Sequence, residues 1–250
     1  MSAPPFRAAR QDAFETLGHA TPGRVLYTCE HASNRVPTPW RPRAHDRILL
    51  SWHWGYDIGA AAVTRELVRL GRGAGVLSRF SRLLVDPTRA PDDPTAILAA
   101  TTDGDLTFNR HLTPERALAR VERFHLPFHA AIDGAVQAVR PRWIVSIHSF
   151  TPWYRGQRRT LDAGVLFDRY DDVALALVEA MRAQGLTTEA NEPYSGKAGL
   201  IYSANRHGTR HDVPYVELEL RQDLIAAERS ARGVAQRVFH ALTAVGVEAP

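Results

Sequence analysis

The chain of 250 residues contains a single cysteine, Cys29, so it forms no intramolecular disulfide, as expected of a protein in a reducing compartment. It has no run of about 18 apolar residues, which excludes a membrane-spanning helix. The opening "MSAPPFRAAR" lacks an apolar stretch of signal-peptide length. Together these absences predict a soluble, cytoplasmic protein with no membrane partner. No internal repeat and no low-complexity linker interrupt the chain, so residues 1–250 read as one domain, with 1–22 a loosely ordered N-terminal extension. A short metal-binding motif of the HExxH kind is missing too, so any metal centre must be assembled from distant segments.

Long blocks of one charge are also lacking. The net charge is +4 and the pI about 9.6, but the basic residues are nearly all Arg and lie among Asp and Glu. Only short clusters such as "RGQRR" (155–159) stand out, and no nucleic-acid-binding fold motif accompanies them, so no nucleic-acid partner is expected. A basic surface that favours an anionic small molecule is the more economical reading. Hydrophobic residues at 44% and charged residues at 23% are ordinary for a globular protein and exclude a disordered or fibrous one.

What is present is an alternation of strand-like and helix-like stretches. "RVLYT" (24–28) is a short β-type run that ends in a polar turn at Glu30 and His31. "DIGAAAVTRELVRLG" has helical spacing, with Asp57 in its first turn and Gly71 where a C-cap would sit. "GVLSRFSRLLVD" reads as a strand region ending at Asp86. The middle, 112–139, is helical, with Thr113 as N-cap and Pro114 at the first helical position. It leads into "WIVSIHSF" (143–150), a strand buried on both faces that runs into His148 and Ser149. "DAGVLFD" is a strand, "DVALALVEAMRAQG" a helix ending at Gly185, "VPYVELELRQD" a strand, and a last helix spans about 224–245. This order predicts an α/β fold with a mixed, mostly parallel sheet and helices on both faces.

Polar residues gather at the predicted strand ends: Glu30 and His31, Asp86 and Arg89, His148, then Glu217, Glu219 and Arg221. In such folds the strand ends share one rim, where ligands bind. Two histidines and a carboxylate from that rim would supply the three protein ligands of a catalytic zinc, with His31 and His148 as the histidines. Asp57, at the helix start, is the preferred carboxylate and Glu30 the alternative. Water activated at such a centre needs a base to carry its proton to a leaving amine. Glu219 suits that role, and Glu217 on the same strand face competes. Arg89 or Arg221 would clamp a substrate carboxylate through a guanidinium fork. His53 lies one helical turn before Asp57 and would pair with it. "HGTRH" contains His207 and His211 at i, i+4, but Gly208 and Pro214 favour a loop. His125 and His129 would face solvent or a neighbouring element.

Six segments in order, "CEHASNRVP" (29–37), "HWGYDIGA" (53–60), "SRLLVDPTR" (81–89), "SIHSFTP" (146–152), "NEPYSG" (191–196) and "ELRQDL" (219–224), resemble the N-formylglutamate amidohydrolases. The resemblance spans most of the chain. It implies a fold shared with zinc carboxypeptidases and aspartoacylases, and a hydrolase of a C–N amide bond with one Zn2+ per chain. The family's named reaction is removal of formate from N-formyl-L-glutamate in histidine breakdown, so the implied partner is a small anionic N-acyl amino acid. The same likeness implies that His148 is the last zinc histidine, Glu219 the general base and Arg89 a carboxylate or oxyanion partner. It also makes Ser149, Asn191 and Tyr194 substrate-contact candidates beside Arg221. At Thr88 the family pattern usually has Asn; one hydroxyl in place of an amide implies altered recognition beside Arg89. His and carboxylate ligands suit other divalent ions as well as zinc. The other reading, from a different class, is a module of the same fold that binds an anionic metabolite or peptide without catalysis. No residue pattern speaks to the oligomeric state.

Overall fold

The computed structural model describes residues 9–19 and 21–248. The strands of its main sheet are β1 (Ala9–Arg10), β2 (Phe14–Gly18), β3 (Leu26–Cys29), β4 (Ala74–Ser78), β5 (Ile144–Phe150), β6 (Ala163–Leu166), β7 (Thr188–Ala190) and β8 (Tyr215–Arg221). They form one sheet in the order β1-β2-β4-β3-β5-β8-β6-β7. The central four, β4, β3, β5 and β8, are parallel. β2 and β6 flank them antiparallel, so the sheet is mixed as the alternation of elements predicts. Of the expected N-terminal extension, residues 1–8 lie outside the described residues, whereas 9–18 form the β1–β2 edge of the sheet.

Helices cover both faces. On one lie α2 (Ala60–Gly71), α5 (Asp171–Ala183) and α8 (Glu228–Ala244). Their Val63, Leu67, Leu177, Met181, Val234 and Val238 pack against Tyr27, Val145, Ile147, Val216 and Leu218. On the other lie α4 (Leu126–Val139) and α6 (Tyr202–His211), whose Phe128, Ile132, Val136 and Ala204 pack against Leu26, Val76, Ile144 and Tyr215. A short α1 (Ala44–Ser51) packs through Leu49 and Leu50 on Leu83 and Leu106, α3 (Pro114–Arg120) precedes α4, and a single turn, α7 (Gln222–Ile225), precedes α8. Thr113 caps α3 by accepting from Arg116 N, with Pro114 at its first turn. Between α3 and α4 the helix widens into a π turn over Val121–His125, just before Pro127. Pro127 has no N–H for the Arg123 carbonyl and its ring would crowd it, so the wider turn relieves both demands.

Strand alternation decides where the site lies. On β5, Val145 and Ile147 point to the α2/α8 layer, so Ser146 and His148 point to the α4/α6 side. On β8 the odd residues Glu217 and Glu219 share that side, and parallel pairing sets Glu217 against Ser146 and Glu219 against His148. Thr28 of β3 pairs with Ser146, which brings Glu30, two residues on, level with His148.

Two expectations are overturned. The strand entered at Ala74 stops at Ser78, and 81–89 is a loop. Its Leu83, Leu84 and Val85 are buried all the same, held by bonds such as Ser81 Oγ to Gly55 O at 2.7 Å and Arg120 Nη1 to Leu84 O at 3.0 Å. A short apolar run does not distinguish a strand from a buried loop. "HGTRH" is the end of α6 and not a loop, because Gly208 is called for by packing: a Cβ there would lie 2.0 Å from Cδ1 of Tyr215. The Tyr215 ring cannot retreat, since its hydroxyl is bonded to Asp168 at 2.7 Å and Asn205 at 2.9 Å. Gly208→Ala should therefore cost about 1–3 kcal/mol by overpacking. Urea unfolding measures it; an unchanged midpoint would contradict the close approach.

Candidate functional site

Asp57 reaches the rim through a tight turn after the His53 segment. Its N–H donates to His31 O at 2.9 Å, and α2 then begins from Gly59, whose φ of 87° and close approach to Ile225 O admit no side chain. The carboxylate is buried. Oδ2 accepts from Ser149 N at 3.0 Å and from His148 Nδ1 at 2.8 Å, and Oδ1 is paired with Arg82. His31 Nδ1 lies 3.6 Å from Oδ2, and His53 Nδ1 lies 3.7 Å from Oδ1. The rings of His31 and His148 meet edge to face, 4.9 Å between centroids. Ligand atoms of His31, Asp57 and His148 all fall within 4.8 Å of one another.

The outer nitrogens of both rings face carboxylates. His31 Nε2 is 2.8 Å from Asp86 Oδ1, and His148 Nε2 is 3.2 Å from Glu30 Oε2. Glu30 in turn accepts from Ser146 Oγ and Ser203 Oγ, both at 2.7 Å. Asp86 accepts from the backbone N and the hydroxyl of Thr88. Carboxylates behind imidazoles orient metal-ligating histidines and fix their tautomer. Meanwhile His31 Nδ1 is buried with no hydrogen-bond partner, an orphan that a cation at the cluster would satisfy. The residues present thus fit a divalent metal: two imidazole nitrogens and a carboxylate oxygen converge, the opposite nitrogen of His31 is bonded to Asp86, and that of His148 faces Glu30.

These residues line a cavity of about 180 Å³ together with His53, Arg82, Thr88, Arg89, Ser149, Tyr194, Leu200, Glu217 and Glu219. Burial raises the Glu219 carboxyl well above the usual range, and the charges of Asp57 and Glu217 add to this while His148 and Arg82 oppose it. Burial likewise lifts Glu217 to about 7. Burial would also raise Glu30, but His148, Ser146 and Ser203 outweigh it and hold the group at about 2. His53 is pushed down to about 4, chiefly by burial, so its imidazole is neutral at pH 7. Burial lifts the Cys29 thiol to about 12, which leaves it inert.

A family model for N-formylglutamate amidohydrolases matches residues 23–226. The chain belongs to that family. It is therefore a hydrolase of amide bonds. Its structure is similar to that of a gene product from Agrobacterium tumefaciens, with 30% identity and a TM-score of 0.85 over 94% of this chain and 95% of that one. It also shares the fold of an N-formylglutamate amidohydrolase from Ralstonia eutropha, at 17% identity and a TM-score of 0.71 over 94% and 97% of the two chains. No curated protein sequence matches it. Among the described residues no helix is long and apolar enough to cross a membrane.

Within this amidohydrolase the predicted residues divide. His31, Asp57, His148, Ser149, Arg89, Tyr194, Glu217 and Glu219 meet at one cavity. Glu30, the alternative to Asp57, stands behind His148 with both oxygens bonded to serines, so Asp57 is the carboxylate between the two rings. Arg221 is a correction: its guanidinium bonds Leu161 O at 3.0 Å, Asp162 at 3.1 Å and Asp223 at 2.8 Å, and ties down the 159–162 segment outside the cavity. Asn191 is another: with φ of 54°, its Oδ1 accepts from Phe167 N and Gly196 N, and it organises its own loop. Thr88 spends its hydroxyl on Asp86 at 2.7 Å. Arg82 went unnoticed in the sequence because it sits inside the apolar run "SRLLV"; its signal is a charge where neighbours are buried.

The depressed Glu30 carboxyl has a pH consequence. A folded-state value near 2 against an ordinary 4.5 contributes stability that is present above about 4.5 and is lost as pH falls toward 2. Ser203→Ala should remove roughly 1.5–3 kcal/mol at pH 7 and start acid unfolding at a higher pH than wild type. Circular dichroism across pH 2–7 reads both; superimposable acid transitions would refute the role of this hydrogen bond.

Proposed function

We propose that the enzyme hydrolyses the amide of a small anionic N-acyl amino acid, with N-formyl-L-glutamate giving L-glutamate and formate as the leading substrate. His31, Asp57 and His148 would hold one Zn2+. The observation that carries this reading is the convergence of both Nδ1 atoms on Asp57, with Glu219 level with His148 on the adjacent strand. Zinc bound there supplies a Lewis acid for the amide carbonyl and a more acidic water.

Glu219 takes a proton from water and delivers it to the leaving nitrogen. Its Oε2 is buried without a hydrogen-bond partner, which suits a group whose proton comes and goes. Glu217 is less suited, because it lies 3.8 Å from Nε2 of His148, the nitrogen turned away from Asp57. Arg89 gives one of its five donors to Thr88 O at 3.1 Å, and the fork serves a substrate carboxylate at the cavity. Arg82 balances Asp57 and keeps it ionised: burial would raise that carboxyl, and Arg82, His31 and His148 hold it well below the ordinary range. Tyr194 and Leu200, partly exposed at 36% and 39%, stand at the mouth. The free Cys29 agrees with a cytoplasmic enzyme of histidine breakdown.

Glu219→Gln should retain the wild-type zinc content by elemental analysis while hydrolysis of N-formyl-L-glutamate falls about 10²–10⁴-fold. Wild-type turnover in that variant would remove Glu219 from the role. His148→Ala should lose the zinc itself, and zinc bound undiminished would sink the ligand set.

Asp86→Asn keeps every proposed ligand but loosens His31. Loss of such a carboxylate behind a ligand typically weakens metal binding about 10–100-fold. Competition against a chromophoric chelator measures this, and wild-type affinity would show that Asp86 does not hold the ring.

A further inference from the structure

A second group of imidazoles lies between α4 and α6, away from the cavity lining. His207 and His211 are one helical turn apart on α6, so their rings share a face, and α4 sets Asp133 against it. His207 Nδ1 is 2.8 Å and His211 Nε2 is 2.7 Å from the same oxygen, Asp133 Oδ1. Arg210 Nη1 takes the other oxygen, Oδ2, at 3.2 Å. His207 is buried, whereas the side chains of Asp133 and His211 keep 16% and 15% of their surface exposed, which leaves an approach from solvent.

Proton accounting shows what this geometry lacks. His129 Nε2 lies 3.0 Å from the Pro87 carbonyl, which only accepts, so that nitrogen carries a hydrogen. An imidazole that carries its one hydrogen on Nε2 has a lone pair on Nδ1. That lone pair meets His207 Nε2 at 2.8 Å, which must then be the donor. A neutral His207 so engaged carries its remaining lone pair on Nδ1, aimed at a carboxylate oxygen 2.8 Å away. Two lone pairs at that distance repel unless a cation stands between them.

We propose that Asp133, His207 and His211 bind a divalent transition metal of zinc type, separate from the centre formed by His31, Asp57 and His148. Two imidazoles and a carboxylate are a donor set suited to zinc, copper or nickel. His129 and the Pro87 carbonyl are the hydrogen-bonded support behind His207, as outer partners are behind ligating histidines elsewhere. A metal there pins α4 to α6 and, through His129, fixes Pro87 beside Asp86 and Thr88. The rival is a proton, which would make His207 an imidazolium paired with Asp133.

The test is zinc content of the full chain, stripped with chelator, reloaded with zinc and desalted, for wild type, His211→Ala and Asp133→Asn. His211 ends α6 and is partly exposed, so its replacement leaves the core intact; Asp133→Asn keeps the shape, and circular dichroism confirms folding of both. Each variant should carry one zinc fewer than wild type, and cobalt loading should show d–d bands in wild type that weaken in His211→Ala. Equal zinc content in all three proteins, whatever the number, overturns the site and leaves the proton. His148→Ala in the same series keeps the two centres apart: zinc lost there but kept in His211→Ala supports the cavity centre and refutes this one, and the reverse supports this one alone.

Discussion

An ionised carboxylate buried to 1% exposure must obtain from the protein the solvation that water would supply, and Asp57 obtains it from segments far apart in the chain. Ser149 N and His148 come from the end of β5, Arg82 from the loop after β4, and the turn that carries Asp57 is itself pinned to His31 O after β3. The sheet order puts these three strand ends side by side. A slip of one residue between β3 and β5 would turn His148 into the α2/α8 layer and leave Asp57 without its main partners. Register is thus a condition of the site as much as of the core, and the same alternation serves both.

Charge follows from that burial. Glu30, Asp57, Asp86, Glu217 and Glu219 crowd one end of the sheet against Arg82, Arg89 and imidazoles. Groups of the same chemistry are driven apart by their surroundings: Glu30, with two serine hydroxyls, sits at about 2, while Glu217 is lifted to about 7 by burial and by the charges of Glu30 and Asp57. Such divergence marks sites where protons move. It also makes a divalent cation an electrostatic complement to the cluster, since it would relieve the carboxylates together where a lone arginine relieves one.

Much of this was legible from residues alone, for a physical reason. A strand buried on both faces has little use for polar side chains, so Ser146 and His148 in "WIVSIHSF", or Glu217 and Glu219 in "VELEL", declare a face with work other than packing. What that pattern cannot reveal is where the strand passes the rim. Arg221 has the same parity as Glu219, yet it lies two residues further along and serves the 159–162 segment. Nor can composition separate a loop glycine from one demanded by an aromatic ring, which is why α6 hid behind Gly208 and Pro214. Arg82 and Asn191 owe their roles to loop conformation, which depends on contacts distant in sequence.

The 81–89 loop, which carries Arg82, Asp86, Thr88 and Arg89, has no ladder of its own, and a single helical stretch supplies three of the bonds that hold it. Arg120 donates to Leu84 O, His125 Nε2 meets Arg89 O at 2.9 Å and His129 Nε2 meets Pro87 O at 3.0 Å. Residues 125 and 129 are one α-helical turn apart, but 120 and 125 are five apart and would diverge by roughly 140° on an ordinary α-helix. The π turn over Val121–His125 absorbs the extra residue and brings all three onto one side. Pro127 thus has a consequence beyond its own turn: by favouring the wider helix it aligns the clamp, and the clamp sets the carbonyls of a loop whose side chains meet His31 and Asp57.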